Sequence, residues 1–280
     1  MIDWWLSDDP PAGAARNMAK DAYLFASCTR WERPVLRLYE WDGPVLSLGR
    51  NQRLQGVLDT AGCMSAGVPL VRRMTGGWAV LHGADLTYSV TAPMQADGGG
   101  LFGSSILSSY RAIGEVFLRL FRDLGYTPEM QPFTARQRAG QASPICFQTP
   151  SACELLIGGK KLVGSAQRRR PDAFLQHGSI PAQPQQEFLA KLFINTEGDT
   201  VREAMTDLAS LGLWERLTPR EFRERLIRAF GEVFGKSWAP LPWGAEDEAG
   251  IAALEPLFAP IPAAPEAFAP GASISHSPIQ

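Results

Sequence analysis

The sequence predicts an α+β fold, mixed or antiparallel sheets packed with helices, and three observations predict it. Short strand-like apolar runs and longer helical ones are mixed without the regular alternation of a doubly wound sheet. Glycine turns at 42–44, 75–77 and 83–85 separate the strand-like pieces. The chain has 280 residues, 45% of them apolar, so it can bury a large core without metal or disulfides.

The elements follow in order. Residues 14–28 form a helix, with Ala15, Met18, Ala19, Ala22 and Phe25 on one face. Strands are expected at 35–39 and 45–48, joined through Asp42-Gly43-Pro44, and then at 68–72, 79–82 and 86–90. A helix over 104–124 carries Ile106, Tyr110, Ile113, Phe117, Leu120 and Leu124 at steps of three and four, and Gly125 stops it. Residues 131–151 are polar and irregular, a long loop of the functional kind. A hairpin pairs 153–157 with 161–163 across Gly158-Gly159, and 174–180 adds a strand. Helices are expected over 184–193 and from Thr218, where Thr218 with Glu221 makes a capping box and Pro219 takes the first helical position. Residues 1–240 are read as one domain. From 241 to 280 the composition turns to alanine and proline with little periodicity, a tail expected to be largely disordered. No internal repeat is visible.

Composition excludes several functions. Twenty-seven Lys and Arg against 29 Asp and Glu leave a net charge of −2, with no field for coating nucleic acid or anionic lipid. No run of about 20 apolar residues exists to span a membrane, and the acidic start is unlike a basic signal-peptide leader. The four cysteines are scattered and the three histidines lack metal-ligand spacing, so no metal is expected and the thiols are read as reduced, in a cytoplasmic monomer.

The first chemically suggestive stretch is Arg72-Arg73-Met74-Thr75-Gly76-Gly77-Trp78-Ala79-Val80-Leu81-His82. Two glycines between strands let a ligand approach the backbone, and two cations beside them could hold a phosphate or polarise a carbonyl. A tight turn with solvated arginines is the plainer alternative. Neither a phosphate-binding Gly-Lys-Ser/Thr loop nor a dinucleotide glycine pattern is present.

Followed by Leu86-Thr87-Tyr88-Ser89, that stretch resembles the biotin/lipoate protein ligase superfamily. Asn17-Met18-Ala19 with Asp21, Ser47-Leu48-Gly49 with Gln52, Lys161 to Arg168, and Gln176-His177-Gly178-Ser179 agree in the family's order. The resemblance implies that catalytic-domain fold. It also implies substrate-binding roles at Arg72, Arg73, Thr75, Gly76, Gly77, Ala79, His82, Gly164, Ser165, Ala166, Gln176, His177 and Gly178. The segment Pro144-Ile145-Cys146-Phe147, then Pro150-Ser151 and Cys153-Glu154-Leu155, is similar to the superfamily's octanoyltransferases that draw on acyl carrier protein. In that branch a cysteine is the nucleophile and a motif lysine lowers its pKa; Cys146 and Lys161 stand at those positions.

The chemistry suits such a pair. A free thiol of pKa about 8.5 is a few per cent thiolate at neutral pH, and a nearby ammonium raises that fraction. A thioester donor is already activated, so no cofactor is expected; ATP and Mg belong only to a rival reading as an acyl-adenylate-forming lipoate ligase. Lys161 could also shuttle the proton of an attacking amine, and Gly76-Gly77 or Gly164-Ser165 could supply oxyanion donors. The resemblance implies octanoyl-acyl carrier protein as donor and a lipoyl-domain protein, the glycine-cleavage H protein or a dehydrogenase E2, as acceptor. Transfer between two lipoyl-domain proteins and an idle binding module of the same fold are the further alternatives. Cys28, Cys63 and Cys153 read as packing residues. His82 suits site orientation and structural satisfaction equally. Arg168, Arg169 and Arg170 form a solvated face or a docking patch for the acidic carrier. Met74 and Trp78 depart from the family pattern and are expected to reshape the acyl pocket.

Overall fold

The structure is a computed structural model that describes residues 4–53, 56–94, 100–131, 154–194 and 196–261. In chain order its strands are β1 (Trp4–Asp8), β2 (Val35–Tyr39), β3 (Val45–Leu48), β4 (Leu70–Arg72), β5 (Val80–His82), β6 (Asp85–Pro93), β7 (Pro128–Met130), β8 (Leu155–Ile157), β9 (Lys160–Arg170), β10 (Ala173–Pro181) and β11 (Trp238–Pro240). Its helices are α1 (Ala14–Ala26), α2 (Cys28–Trp31), α3 (Thr60–Ser65), α4 (Ile106–Asp123), α5 (Gln186–Lys191), α6 (Gly198–Ala204), α7 (Pro219–Phe234) and α8 (Ala245–Leu254).

The main sheet runs β11-β1-β2-β6-β10-β9-β8-β7, and a small sheet runs β4-β3-β5. β6, β10 and β9 are joined antiparallel, whereas β1 lies parallel to both β2 and β11, so the main sheet is mixed. The expected class therefore holds.

Period-2 alternation gives the main sheet two unlike faces. Leu36, Leu38, Leu86, Tyr88, Val90, Phe174 and Ile180 pack with α4 and α7 in the largest apolar cluster. The intervening residues Arg37, Thr87, Ser89, His177 and Ser179 are just as buried but polar, and α1 lies on their side. A sheet face made of polar groups cannot be a passive core, because each buried group needs a partner. The small sheet packs its own apolar cluster against α5 and α6, through Leu46, Leu70, Val80, Leu189 and Val201.

One expectation is revised. Residues 241–261, assigned by composition to a tail, are folded: α8 and a 3₁₀ turn, Glu255–Phe258, bury Ile251 and Phe258 against α1. Arg16 pairs there with Glu248 and Glu255, and Arg30 with Asp247. An Ala-rich helix that buries so few side chains leaves little periodicity to read; the rest of the expected tail, 262–280, lies outside the described residues. The arginine run Arg168 to Arg170 is the end of β9, laddered to Ala173–Leu175 and half-buried. Among the described residues no helix is long and apolar enough to cross a membrane.

Candidate functional site

The polar sheet face is organised around Arg37, whose side chain is fully buried. It donates to Asp9 (Nε, 2.7 Å), Asp21 (Nη1, 2.8 Å) and the Asn17 side-chain oxygen (Nη2, 2.7 Å). Asp21 also accepts from Tyr39 and Ser89. Burial alone would raise the pKa of Asp21; Arg37 and His177 outweigh it and hold it at about 2.

From Asp21 a continuous hydrogen-bonded chain crosses to the glycine loop. His177 Nδ1 lies 2.9 Å from Asp21 Oδ2, and its Nε2 lies 2.6 Å from the Thr75 hydroxyl. An ionised carboxylate only accepts, so Nδ1 carries the hydrogen and Nε2 accepts from Thr75. Burial keeps the His177 pKa below the usual histidine value against the pull of Asp21. Arg73 then donates from Nε to Thr75 Oγ1 and from Nη1 to Ser47 Oγ, both at 3.2 Å. Ser47 meets His82 Nε2 at 2.8 Å, and His82 Nδ1 meets Asp85 at 2.8 Å. Asp85 accepts as well from Thr87 and Ser179. Two carboxylate–imidazole–hydroxyl relays thus converge on one guanidinium.

Local sequence explains the convergence. Gly77 has φ +88°, and a Cβ at Gly49 would stand 1.9 Å from the Gly77 carbonyl oxygen. Glycine at both positions lets the 75–77 turn lie against the end of β3. Arg73 clamps the turn from inside through the carbonyls of Ser47, Gly76 and Trp78, and Arg72 holds the carbonyls of Gly49 and Gln52. Both cations, expected to hold substrate, spend these donors on the protein's own backbone.

A narrow cleft opens over this network, with a free volume of about 30 Å³. Arg73, His82, Gly164, Ser165, Ala166, His177 and Gly178 line it, all expected from the sequence. Thr75 stands behind His177. Gly77 approaches Ala166 at the rim, so that a Cβ there would be 3.8 Å from the Ala166 methyl. Ala79 is buried in the small-sheet core. Gln176 faces the other side of the sheet, donating to Tyr88 and accepting from Gln167. Met74 packs in the α1 cluster and Trp78 against the small-sheet cluster, so neither shapes the cleft wall. Sequence reasoning assigned no roles to Tyr39, Trp41, Ser47 and Thr87, which also line the cleft; Trp41 stacks on His82 with ring centroids 4.1 Å apart. Buried polar residues in β2, β3 and β6 were the available signal.

Lys161 is fully buried at the start of β9, its Nζ 2.5 Å from Glu154 Oε1. Cys146 and Cys153 lie outside the described residues. Burial pushes the Cys28 thiol up to about 12 and the Cys63 thiol up to about 11, which makes both poor nucleophiles. Among the described residues no cluster of three or more His, Cys, Asp or Glu is arranged to hold a metal ion.

Residues 13–231 match the model of the lipoyl protein ligase A/B catalytic domain, and the chain belongs to that family. An octanoyltransferase LipM of Exiguobacterium sp. is 34% identical over 259 residues, which is 89% of this chain and 92% of the relative. One of Kyrpidia tusciae is 36% identical over 262 residues, 88% and 93% of the two chains. A crystal structure of lipoate-protein ligase A bound with ATP superposes with a TM-score of 0.74, covering 91% of this chain and 95% of that one. At 21% identity, this second kind of likeness concerns the fold.

Proposed function

We propose that this chain, an octanoyltransferase of lipoate biosynthesis, takes octanoyl from octanoyl-acyl carrier protein onto Cys146 and passes it to a lysine of a lipoyl-domain protein. The observation that carries the reading is its identity to octanoyltransferases along nearly nine-tenths of its length. The geometry supports it: a narrow cleft ends in polar groups already held by one another. Pre-set hydrogen bonds of this kind cost no reorganisation when charge develops on an acyl oxygen.

In the first step the Cys146 thiolate attacks the thioester carbonyl and the carrier thiol leaves with a proton. In the second the acceptor amine attacks the Cys146 thioester, an amide forms, and the cysteine is released. Lys161 stabilises the thiolate and exchanges the proton; no ATP, Mg or other cofactor takes part. The H protein and E2 lipoyl domains are the acceptor class, and the reaction belongs in the cytoplasm.

Intact mass after incubation with octanoyl-acyl carrier protein, without ATP, tests the reading. The expected product carries one octanoyl group, removed by hydroxylamine and lost in Cys146→Ser. Labelling that requires free octanoate and ATP would transfer the assignment to the ligase class. Labelling from an octanoylated lipoyl domain alone would make it an amidotransferase, and no labelling from any donor would leave a binding module.

A further inference from the structure

We propose that Glu154 is the positioning residue of Lys161: its carboxylate aims the ammonium and sets the pH at which that group gives up its proton. The inference rests on the reading of Lys161 as a working lysine. Glu154 stands just before β8 and Lys161 two residues past the Gly158–Gly159 turn, so the hairpin returns one side chain onto the other. Both backbones are pinned. The Gln131 N–H donates to the Glu154 carbonyl at 2.8 Å and the Thr206 N–H to the Lys161 carbonyl at 3.0 Å. Leu155, Leu162 and Val163 beside them are buried in the main core.

The two side chains are 1% and 0% exposed, so solvent screens their interaction weakly. An isolated ammonium there would shed its proton, since burial disfavours the charged form. An apolar pair in the same space would often be as stable as a buried ion pair, which makes stability alone a poor reason for these two residues. Among the described residues, the other charged groups on the surrounding elements have partners of their own or face outward. Lys160 donates to the Arg202 carbonyl, and Arg202 pairs with Asp199 and Glu187. Asp207 accepts from Gln186 and Ser210, and Glu129 of β7 is exposed.

The proton balance then closes over a cycle. As the thiolate sulfur bonds the acyl carbon and the donor's C–S bond breaks, Lys161 gives its proton to the leaving thiolate. Beside the carboxylate, the neutral amine is a strong enough base to take a proton from the attacking acceptor amine. That event breaks the Cys146 thioester and restores thiolate and ammonium. Glu154 stays ionised throughout and touches no reacting atom.

The test follows the Cε resonance of Lys161 in 13C-lysine-labelled protein, assigned with Lys161→Arg, through a pH titration of wild type, Glu154→Gln and Glu154→Asp. The second step is timed in parallel by mixing octanoylated protein with a lipoyl domain. In Glu154→Gln the Lys161 inflection is expected to fall by at least about one pH unit, and the second step at neutral pH to slow by roughly tenfold or more. Glu154→Asp, with its carboxylate drawn back by one methylene, shows a smaller fall and carries the test if the glutamine variant does not fold. An unmoved Lys161 inflection in either folded variant overturns the proposal. Failure of the wild type to transfer octanoyl would instead remove the octanoyl reading, and the titration would still judge the pair.

Discussion

Replacing Asp21 by asparagine keeps the side-chain shape and removes one charge from the polar face of the main sheet. Asp21 is fully buried, and Arg37, His177, Tyr39 and Ser89 all meet its two oxygens. Its pKa falls from 3.8 to about 2 on folding, because Arg37 and His177 overcome the burial that would raise it. At about 1.4 kcal/mol per pH unit, that difference stabilises the native state by about 2.5 kcal/mol at neutral pH. The folded pKa is depressed, so the contribution is complete above the unfolded value and disappears as pH falls toward the folded one. Roughly half is gone at pH 3 and most by pH 2. Urea unfolding of wild type and Asp21→Asn at pH 7, 5 and 3 measures this directly. The stability gap is expected to be about 2.5 kcal/mol or more at pH 7, since Arg37 also loses a charged partner, and to narrow by about 1 kcal/mol at pH 3. A gap that stays constant over that range would refute the electrostatic account and leave shape as the role of the residue.

Gly49→Ala would set a Cβ 1.9 Å from the Gly77 carbonyl oxygen, a backbone atom with nowhere to yield. The 75–77 turn must shift, and octanoyl transfer is expected to fall by about a hundredfold, read as product per minute beside circular dichroism that shows a folded protein. Ile251→Ala removes a fully buried side chain between α8 and α1 and is expected to cost about 2–4 kcal/mol in chemical denaturation; a change under about 0.5 kcal/mol would mean that α8 is peripheral to the fold.

Local devices were legible and long-range ones were not. The capping box of α7 forms as read, with Thr218 and Glu221 each bonding the other's backbone. The apolar stripe of α4 buries Ile113, Phe117 and Leu120, because helical spacing fixes which residues share a face. β1 escaped notice because Trp4–Asp8 ends in charge; it becomes a strand by pairing with β2 and with β11, the latter more than two hundred residues away in the chain. Arg37 is an arginine inside an apolar run, and nothing local says that Asp9, Asn17 and Asp21 will close on it. The glycine turn and His82 were legible as a site. That Arg72 and Arg73 serve the backbone was not, since carbonyl acceptors leave no trace in side-chain identity.

The clasp that α8 and the Glu255–Phe258 turn lay across α1 bears on the order of synthesis. Asp21 and Arg37 leave the ribosome early, His177 follows much later, and the residues that cover α1 come after all of them. A domain folds as a unit, and here the polar sheet face waits for His177 and Ser179 of β10 to complete its hydrogen bonds. The cleft is complete only once β10 has emerged and is fastened only when α8 follows it, and premature termination anywhere before Ile251 leaves α1 without its outer cover.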